Sequence, residues 1–203
     1  MMRHTTELIV VLFLMTLGCG GGEDPADSLE TNGLGTAATT ASTVELEPDD
    51  PSLLRRPFTA DEIRDEWVEG FRLLIRRTTP AAVKIERWTV ISTDDEGAEI
   101  EYAILDEDNN VSESAVRGTT WVELRDHASF PAATATREWV TRSTGLGTYD
   151  GWLYRVIGGD GGAIEEYFFV PSLPGAPLEM KILDGDTTVF TLEQMARLRP
   201  DAP

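Results

Sequence analysis

Apolar and polar residues alternate along several stretches after residue 70, which predicts β-strands with one buried face. The cleanest example is 98–104, where Glu99 and Glu101 alternate with apolar residues. Similar alternation occupies 71–76 and 152–157. Three further short apolar stretches predict strands, and they lie at 164–170, 178–183 and 188–195.

Clusters of Gly, Asp and Asn separate these strands and predict tight turns. They occupy 94–97, 106–110, 158–162 and 184–186. Connections this short join antiparallel neighbours, because parallel strands need a crossover of about a dozen residues or more. The predicted fold class is therefore α+β, mainly antiparallel β, with one curved sheet or two packed sheets and two short helices.

The first predicted helix begins at a capping box formed by Thr59 and Glu62. Phe58 and Ile63 are spaced for a hydrophobic staple across this helix start. Gly70 is placed to end the helix, since glycine adopts the left-handed conformation found after helix ends.

The second predicted helix covers 121–128, with Thr120 and Glu123 as another capping box. Pro131 prevents its continuation. Large aromatic side chains are needed to cover a twisted sheet. We therefore expect three tryptophans to be buried between the helices and the sheet, namely Trp67, Trp121 and Trp152.

Residues 20–57 contain no aromatic residue and are rich in small and acidic residues. Such a segment cannot bury enough apolar surface to offset the entropy lost on ordering. We therefore predict a signal peptide at 1–18, a disordered acidic tether at 19–57 and a β-rich globular domain at 58–203. The 203-residue chain has a net charge of −19, which argues against nucleic acid as a partner.

A largely apolar stretch at 8–17 follows Arg3, a pattern typical of a secretion signal. Ten helical residues span about 15 Å, roughly half the hydrocarbon core of a bilayer, so this stretch is too short to be a transmembrane anchor. It ends in MTLGC at 15–19, which resembles the lipobox of bacterial lipoproteins. The resemblance implies that Cys19 becomes the mature amino terminus and carries a lipid.

Cys19 is the only cysteine, so an intrachain disulfide is impossible. Gly20 follows it, where Asp would imply retention in the inner membrane. The resemblance therefore implies a lipid-anchored protein of the bacterial cell envelope, in the outer membrane rather than the inner one.

The segment 171–177 (PSLPGAP) places three prolines between two predicted strands, so the chain must kink or cross a sheet edge there. With the aromatic strands around it, the region 151–183 resembles sheet-rich bacterial envelope proteins. More loosely, it resembles the curved-sheet carriers of the Lol lipoprotein-sorting type. The resemblance implies an apolar ligand or an envelope protein as partner, and it transfers no functional residue.

Several segments begin a functional motif without completing it. The stretch 106–110 starts like a calcium loop, but Val111 and Arg117 replace the glycine and the bidentate glutamate that the loop needs. A hairpin turn is the better interpretation. The glycine-rich stretch 158–162 precedes a predicted strand and not a helix, so it is predicted to be a hairpin loop and not a phosphate cradle.

His127 is the only histidine beyond the signal segment. Motifs of serine hydrolases and zinc peptidases are missing from the sequence, so a helix-end histidine is the preferred interpretation. Three arginines could bind an anion, but pairing with acids on neighbouring strands, such as Glu86 or Glu101, is preferred. They are Arg72, Arg76 and Arg77.

Three functions stay open from the sequence. The first is a non-catalytic structural or protein-interaction module of the envelope. The second is a carrier domain for an apolar ligand or a lipoprotein. The third is a hydrolase of envelope polymers, built from scattered acids and His127. We predict no catalytic residue, no cofactor and no metal, and we predict attachment to the membrane through lipid on Cys19.

The predicted anchor depends on one thiol. Replacement of Cys19 by serine removes the only atom to which a thioether-linked lipid could be attached, and two or more acyl chains are what makes anchoring stable. We expect the wild-type chain to incorporate a palmitate analogue during metabolic labelling and Cys19→Ser to incorporate none. An unlabelled wild-type chain would contradict the lipoprotein prediction.

Overall fold

Residues 50–158 and 162–200 are described by the computed structural model, and they form nine antiparallel strands and two short helices. All nine strands belong to one open sheet, which confirms the predicted fold class. The signal segment, Cys19 and most of the predicted tether lie outside the described residues. None of the helices in the described ranges is long and apolar enough to cross a membrane.

Each element is short. In chain order they are α1 (Ala60–Glu66), β1 (Arg72–Thr78), β2 (Val83–Thr93), β3 (Gly97–Leu105), β4 (Val111–Thr120), α2 (Trp121–Asp126), β5 (Ala135–Thr144), β6 (Gly147–Ile157), β7 (Ala163–Phe169), β8 (Glu179–Asp184) and β9 (Thr187–Leu198). Strands β2, β4 and β5 were not among the strands predicted from the sequence, and α2 is shorter than its predicted span of 121–128.

The spatial order of the strands is β4-β3-β2-β1-β9-β8-β7-β6-β5. Two antiparallel meanders, β1–β4 and β5–β9, are therefore joined side by side where β1 pairs with β9. The connection from β4 to β5 contains α2 and links the two outermost strands. Both edges of the sheet consequently belong to the middle of the sequence.

One face of the sheet, here called the core face, carries the main apolar core. Residues opposite each other in an antiparallel pair share a face, and Leu73, Trp88 and Tyr102 follow one another across β1, β2 and β3. The same face carries Tyr154 and Tyr167 on β6 and β7. Buried side chains from the helical segments complete this core, and they are Phe58, Ile63, Trp67, Trp121 and Leu124.

Both predicted capping boxes are present. The Glu62 N–H donates to Thr59 Oγ1 at 3.2 Å, and the Thr59 N–H donates to Glu62 Oε2 at 2.7 Å. Thr120 and Glu123 repeat this arrangement at the start of α2. Capping stabilises helices this short, because their first N–H groups have no partner within the helix.

Trp67 connects the end of α1 to the proline-containing loop between β7 and β8. Its side chain is 1% exposed, and its Nε1–H donates to the Pro174 carbonyl at 3.0 Å. Gly175 has a φ of +105° and lies against the indole, where a Cβ atom would be 2.5 Å from Nε1. Only glycine satisfies both requirements, so the packing of Trp67 explains Gly175.

A buried polar network ties β9 to the same loop. Gln194 is fully buried and donates Nε2–H to the carbonyls of Ala176 and Pro177, both at 2.9 Å. Arg197 donates to Gln194 Oε1 at 3.1 Å and to Glu66 Oε1 at 3.2 Å. The loop carbonyls are thereby satisfied inside the fold, as buried polar groups must be.

A second, smaller core lies on the opposite face of the sheet, where the β5–β6 hairpin bends over its neighbours. Gly151 allows this bend, since a Cβ atom there would lie 2.4 Å from the Phe169 carbonyl oxygen. At the hairpin tip, the Gly145 N–H donates to Glu193 Oε1 on β9 at 2.8 Å. The buried members of this core are Phe168, Val170 and Leu178.

The segment before α1 packs on the domain. The Leu54 N–H donates to the Phe130 carbonyl at 2.8 Å, and the Tyr154 hydroxyl donates to the Arg55 carbonyl at 2.6 Å. Leu53 also forms an isolated β-bridge with Pro131. The packed domain therefore extends before residue 58, because the two leucines have apolar surface to bury although the surrounding segment has little.

Tyr154 gives this docking a measurable pH dependence. Burial raises the pKa of Tyr154 from 10.0 to about 12, against the opposing charges of Arg137 and Arg55. Between these values the unfolded chain releases a proton that the folded chain retains. The contribution of the protonated Tyr154 to the free energy of unfolding is therefore complete below pH 10. It is lost as the pH rises towards 12, by about 1.4 kcal/mol per pH unit.

We expect Tyr154→Phe to lower the free energy of unfolding at pH 8 by about 1 kcal/mol, through loss of the hydrogen bond to Arg55. The variant should also lose stability less steeply than the wild type between pH 10 and 12. Urea unfolding at a series of pH values measures both effects. Equal slopes for the two proteins would show that Tyr154 does not titrate in this way.

Candidate functional site

An exposed tryptophan stands on the outermost strand β5. Trp139 is 50% exposed and lies opposite Trp152 of β6 on the core face. The two indole rings meet edge to face, with centroids 4.7 Å apart and an interplanar angle of 73°. The Arg137 guanidinium carbon lies 3.4 Å from the centroid of the Trp152 ring. These three residues, Arg137, Trp139 and Trp152, are called the Trp139 cluster.

The Trp139 cluster packs on buried aromatic side chains of the core. Arg137 lies opposite Tyr154 in the β5–β6 register, and its guanidinium carbon is 5.8 Å from the Tyr154 ring centroid. Tyr154 is fully buried and packs edge to face with Phe169 at 5.7 Å. The exposed indole is therefore the outermost member of a stack that continues into the core, which gives it a defined position.

Trp139 has the properties of an interaction site and not of a core residue. Burying the exposed half of an indole against a partner is favourable because large apolar area is removed from water. Tryptophan and arginine are the residue types most enriched among those that dominate binding energy at protein interfaces. A cation stacked on an aromatic ring further restrains the arginine side chain.

A second candidate surface is the part of the core face that the helices leave uncovered. Half-buried side chains line it, and Trp88 meets Tyr102 edge to face at 5.1 Å. Burial raises the pKa of Tyr102, although Arg117 opposes the shift. Charged groups interrupt the apolar surface, since Arg77 pairs with Glu86 in its middle. The other apolar members are Ile182, Phe190 and Leu192.

Two depressions lie where β2, β3 and β4 meet the helices. One has a volume of about 320 Å³ and is lined mainly by polar residues of the β2–β3 turn and the end of β4. The other has a volume of about 460 Å³ and combines Trp121 and Val122 with charged residues, including Asp61 and Arg64. Both depressions are open to solvent and include charged side chains, unlike the clefts that enclose most of a small ligand.

The motif-like segments take the structural roles that were preferred for them. The stretch 106–110 is the hairpin turn between β3 and β4, in which Asp106 Oδ1 accepts from the Asp108 and Asn110 N–H groups at 2.9 and 2.8 Å. The glycine-rich stretch precedes β7, as predicted, although its residues 159–161 lie outside the described ranges. Among the described residues, no three His, Cys, Asp or Glu side chains group as a metal site.

The remaining predicted residues are also accounted for. His127 is the C-cap of α2, is exposed, and donates its backbone N–H to the Glu123 carbonyl at 3.2 Å. Arg76 pairs with Glu193, and Arg77 pairs with Glu86 at 2.5 Å, which confirms the preference for partners on neighbouring strands for two of the three arginines. Arg72 is exposed and has no ion pair within the described ranges, and Glu101 pairs with Arg87 at 3.4 Å.

The prediction for the three tryptophans is correct for two of them. Trp67 and Trp121 are buried, but Trp152 is only half-buried. The physical reason is its place beside the edge strand, where Trp139 and Arg137 contact it from the outermost strand. Trp139 itself was not singled out from the sequence, although a tryptophan among the polar residues of REWVTRST is a usable signal.

The contrast between two tryptophans tests this assignment. We expect Trp139→Ala to change the unfolding temperature by no more than a few degrees, because half of the side chain is already in water. Trp67→Ala should cost about 3–5 kcal/mol, since it leaves a cavity beside Gly175 and removes one of the two hydrogen bonds that the Pro174 carbonyl accepts. Thermal unfolding followed by circular dichroism measures both. Equal losses would mean that Trp139 is a core residue.

No protein-family model matches the chain, and no curated protein matches it. Among solved structures, the complex of MucA and MucB from Pseudomonas aeruginosa aligns at 12% identity with a TM-score of 0.49, covering 71% of this chain and 58% of that one. A structure of MucB alone gives the same values and is covered over 60% of its length. A Parabacteroides distasonis protein described as a lipoprotein aligns at 8% identity with a TM-score of 0.39, covering 70% of this chain and 98% of its own. The chain thus spans less than two thirds of MucB, and likeness at this level carries no functional information.

Proposed function

We propose that this chain is a lipid-anchored bacterial envelope protein whose β domain is a non-catalytic protein-interaction module. The lipobox-like MTLGC at 15–19 supports the anchor, with lipid on Cys19. The acidic composition of the residues that follow supports a spacer between the membrane and the domain. In this arrangement the domain faces the aqueous side of the membrane and meets partners there.

The Trp139 cluster is the observation that carries the proposal. A half-exposed indole on an outer strand has apolar area that a partner can still remove from water, and tryptophan is among the residue types that dominate binding energy at interfaces. Its stack on Trp152 and Arg137 pre-orients it, which lowers the entropy lost on binding. The site is therefore suited to recognition by contact and needs no chemical step.

An apolar-ligand carrier is the second candidate, and the uncovered part of the core face favours it. Half-buried Trp88, Tyr102 and Phe190 offer apolar contact area there. The ion pair of Arg77 with Glu86 lies within the same surface and would have to be covered by a bound acyl chain, at a desolvation cost. This cost ranks the carrier below the interaction module.

Site-specific photo-crosslinking in the intact envelope tests the interaction module. A photoreactive residue at Thr141, which is exposed on the same face as Trp139, should form a discrete protein adduct, because a partner covering the indole also covers this position. The adduct should be lost in the Trp139→Ala background. Val116 on β4 is 54% exposed and provides the control position.

Three results would contradict the module: no adduct at Thr141, equal adducts at both positions, or an adduct that survives Trp139→Ala. Native mass spectrometry of the purified chain addresses the carrier. A co-purifying lipid that is lost on replacement of Trp88 and Phe190 by serine would favour the carrier over the interaction module.

A further inference from the structure

Strand β5 is the outermost strand of the sheet, and no other strand among the described residues pairs with its outer edge. The Ile157 N–H donates to the Thr134 carbonyl at 2.9 Å, just before Ala135 pairs with Val156. Hydrogen-bonded and non-hydrogen-bonded pairs alternate along an antiparallel ladder. Even-numbered residues of β5 therefore bond to β6, and odd-numbered residues direct their N–H and C=O groups outward. Among these residues are Trp139, Thr141 and Ser143.

Few of the usual protections against strand addition are present on this edge. Natural edge strands are blocked by charged side chains, above all lysine, and by proline, bulges or short length. Strand β5 has charged side chains at Arg137, Glu138 and Arg142 but lacks the other devices. Strand β5 spans ten residues, Ala135–Thr144, contains neither proline nor lysine, and keeps its register with β6 from end to end. The opposite edge strand, β4, has a register shift opposite Ile104 and Leu105 and contains Gly118.

The Trp139 side chain and the open backbone occupy the same residues. Trp139 directs its indole to the core face and its N–H and C=O to the edge, so one bound strand would contact both. We infer that β5 binds an extended peptide as a tenth, antiparallel strand, with the Trp139 cluster packing on one of its side chains. This inference rests on the proposed function and specifies how the module recognises its partner.

The side chains of β5 define the chemistry of the peptide. The peptide residue opposite Trp139 is apolar or aromatic, because aromatic cross-strand pairs are the most favourable at such positions. Glu138, on the other face, is 64% exposed, and its ion pair with Arg155 is long at 3.8 Å, whereas Arg155 contacts Glu166 at 2.8 Å. A basic residue opposite Glu138 supplies a better partner. The net charge of −19 also attracts a cationic segment.

A designed peptide of sequence Thr-Thr-Val-Phe-Arg-Thr-Thr provides the probe. In the inferred register its phenylalanine lies opposite Trp139, its arginine opposite Glu138 and its valine opposite Val140. Titration of the full chain, purified in detergent, should give saturable binding. Hydrogen exchange should show the amides of Trp139 and Thr141 becoming protected, while those of Glu138 and Val140 are protected already in the free protein.

Backbone methylation of the peptide separates strand addition from simple side-chain contact. An N-methyl group on the phenylalanine removes a donor to β5 and should weaken binding about tenfold or more. An N-methyl group on the arginine points away from β5 and should change the affinity less than about threefold. Equal effects of the two methyl groups, or no saturable binding of the parent peptide, would overturn the inference.

Matched variants of the chain give the same test from the other side. Thr141→Pro removes an outward N–H and no backbone hydrogen bond to β6, and it should abolish peptide binding. It also removes the hydroxyl that donates to Asp150 Oδ1 on β6 at 2.5 Å, a loss that Thr141→Val shares. Thr141→Val keeps the N–H and should bind like the wild type. If Thr141→Pro unfolds the domain, the two methylated peptides decide the question on the wild-type chain.

The experiment also separates this inference from the proposed function. A photo-adduct at Thr141 that depends on Trp139, together with no saturable binding of the parent peptide or with equal effects of its two methyl groups, would leave the interaction module standing and would overturn strand addition. Self-association of the chain that Thr141→Pro abolishes, without binding of the probe peptide, would assign the edge to a second copy and would likewise overturn the inference.

Discussion

Pairing between the first and last strands is the interaction on which the rest of this fold depends. Arg72 lies opposite Leu198 and Thr78 opposite Thr191, so β1 and β9 close the sheet in its middle. The core face is continuous across this pair because Leu73 and Ile75 of β1 meet the Gln194 network of β9. Without the pairing, each meander would expose a central strand edge and half of a core. Contacts so distant in sequence also make slow folding the physical expectation, since the loop must close before they form.

Closure in the middle decides where the open edges lie. Because β1 and β9 pair with each other, the two edge strands of the sheet are β4 and β5. The segment that contains α2 must therefore link one edge to the other. That link and α1 cover one part of the core face and leave Trp88, Tyr102 and Phe190 half-covered. The Trp139 cluster is thus a consequence of topology, because the same tryptophan on an inner strand would have neighbours on both sides.

Local signals in the sequence were sufficient for several elements and insufficient for others. Both capping boxes and the strand at 98–104 could be predicted because each depends on residues within a few positions. Strand β2 was missed because its core-facing positions include Lys84 and Glu86 beside Trp88, which obscures alternation. Strand β5 was missed because an edge strand is partly exposed to solvent on both faces, so its apolar and polar residues do not alternate clearly. The exposure of Trp139 depends on strand order, which is fixed by the distant pairing of β1 with β9 and has no local signature.

The stability of the Trp139 cluster and its availability for binding have the same origin. Trp152 lies on β6, which pairs with β5 on one side and with β7 on the other. Tyr154, which packs beneath Arg137, also donates a hydrogen bond to the Arg55 carbonyl. The ordered segment before α1 therefore steadies the layer on which Arg137 stacks. Trp139 packs on this layer from outside, and half of its own side-chain surface stays in water. A side chain that contributes little to folding and is nevertheless held in one orientation can bury its apolar surface against a partner. This is the physical basis for placing recognition on β5.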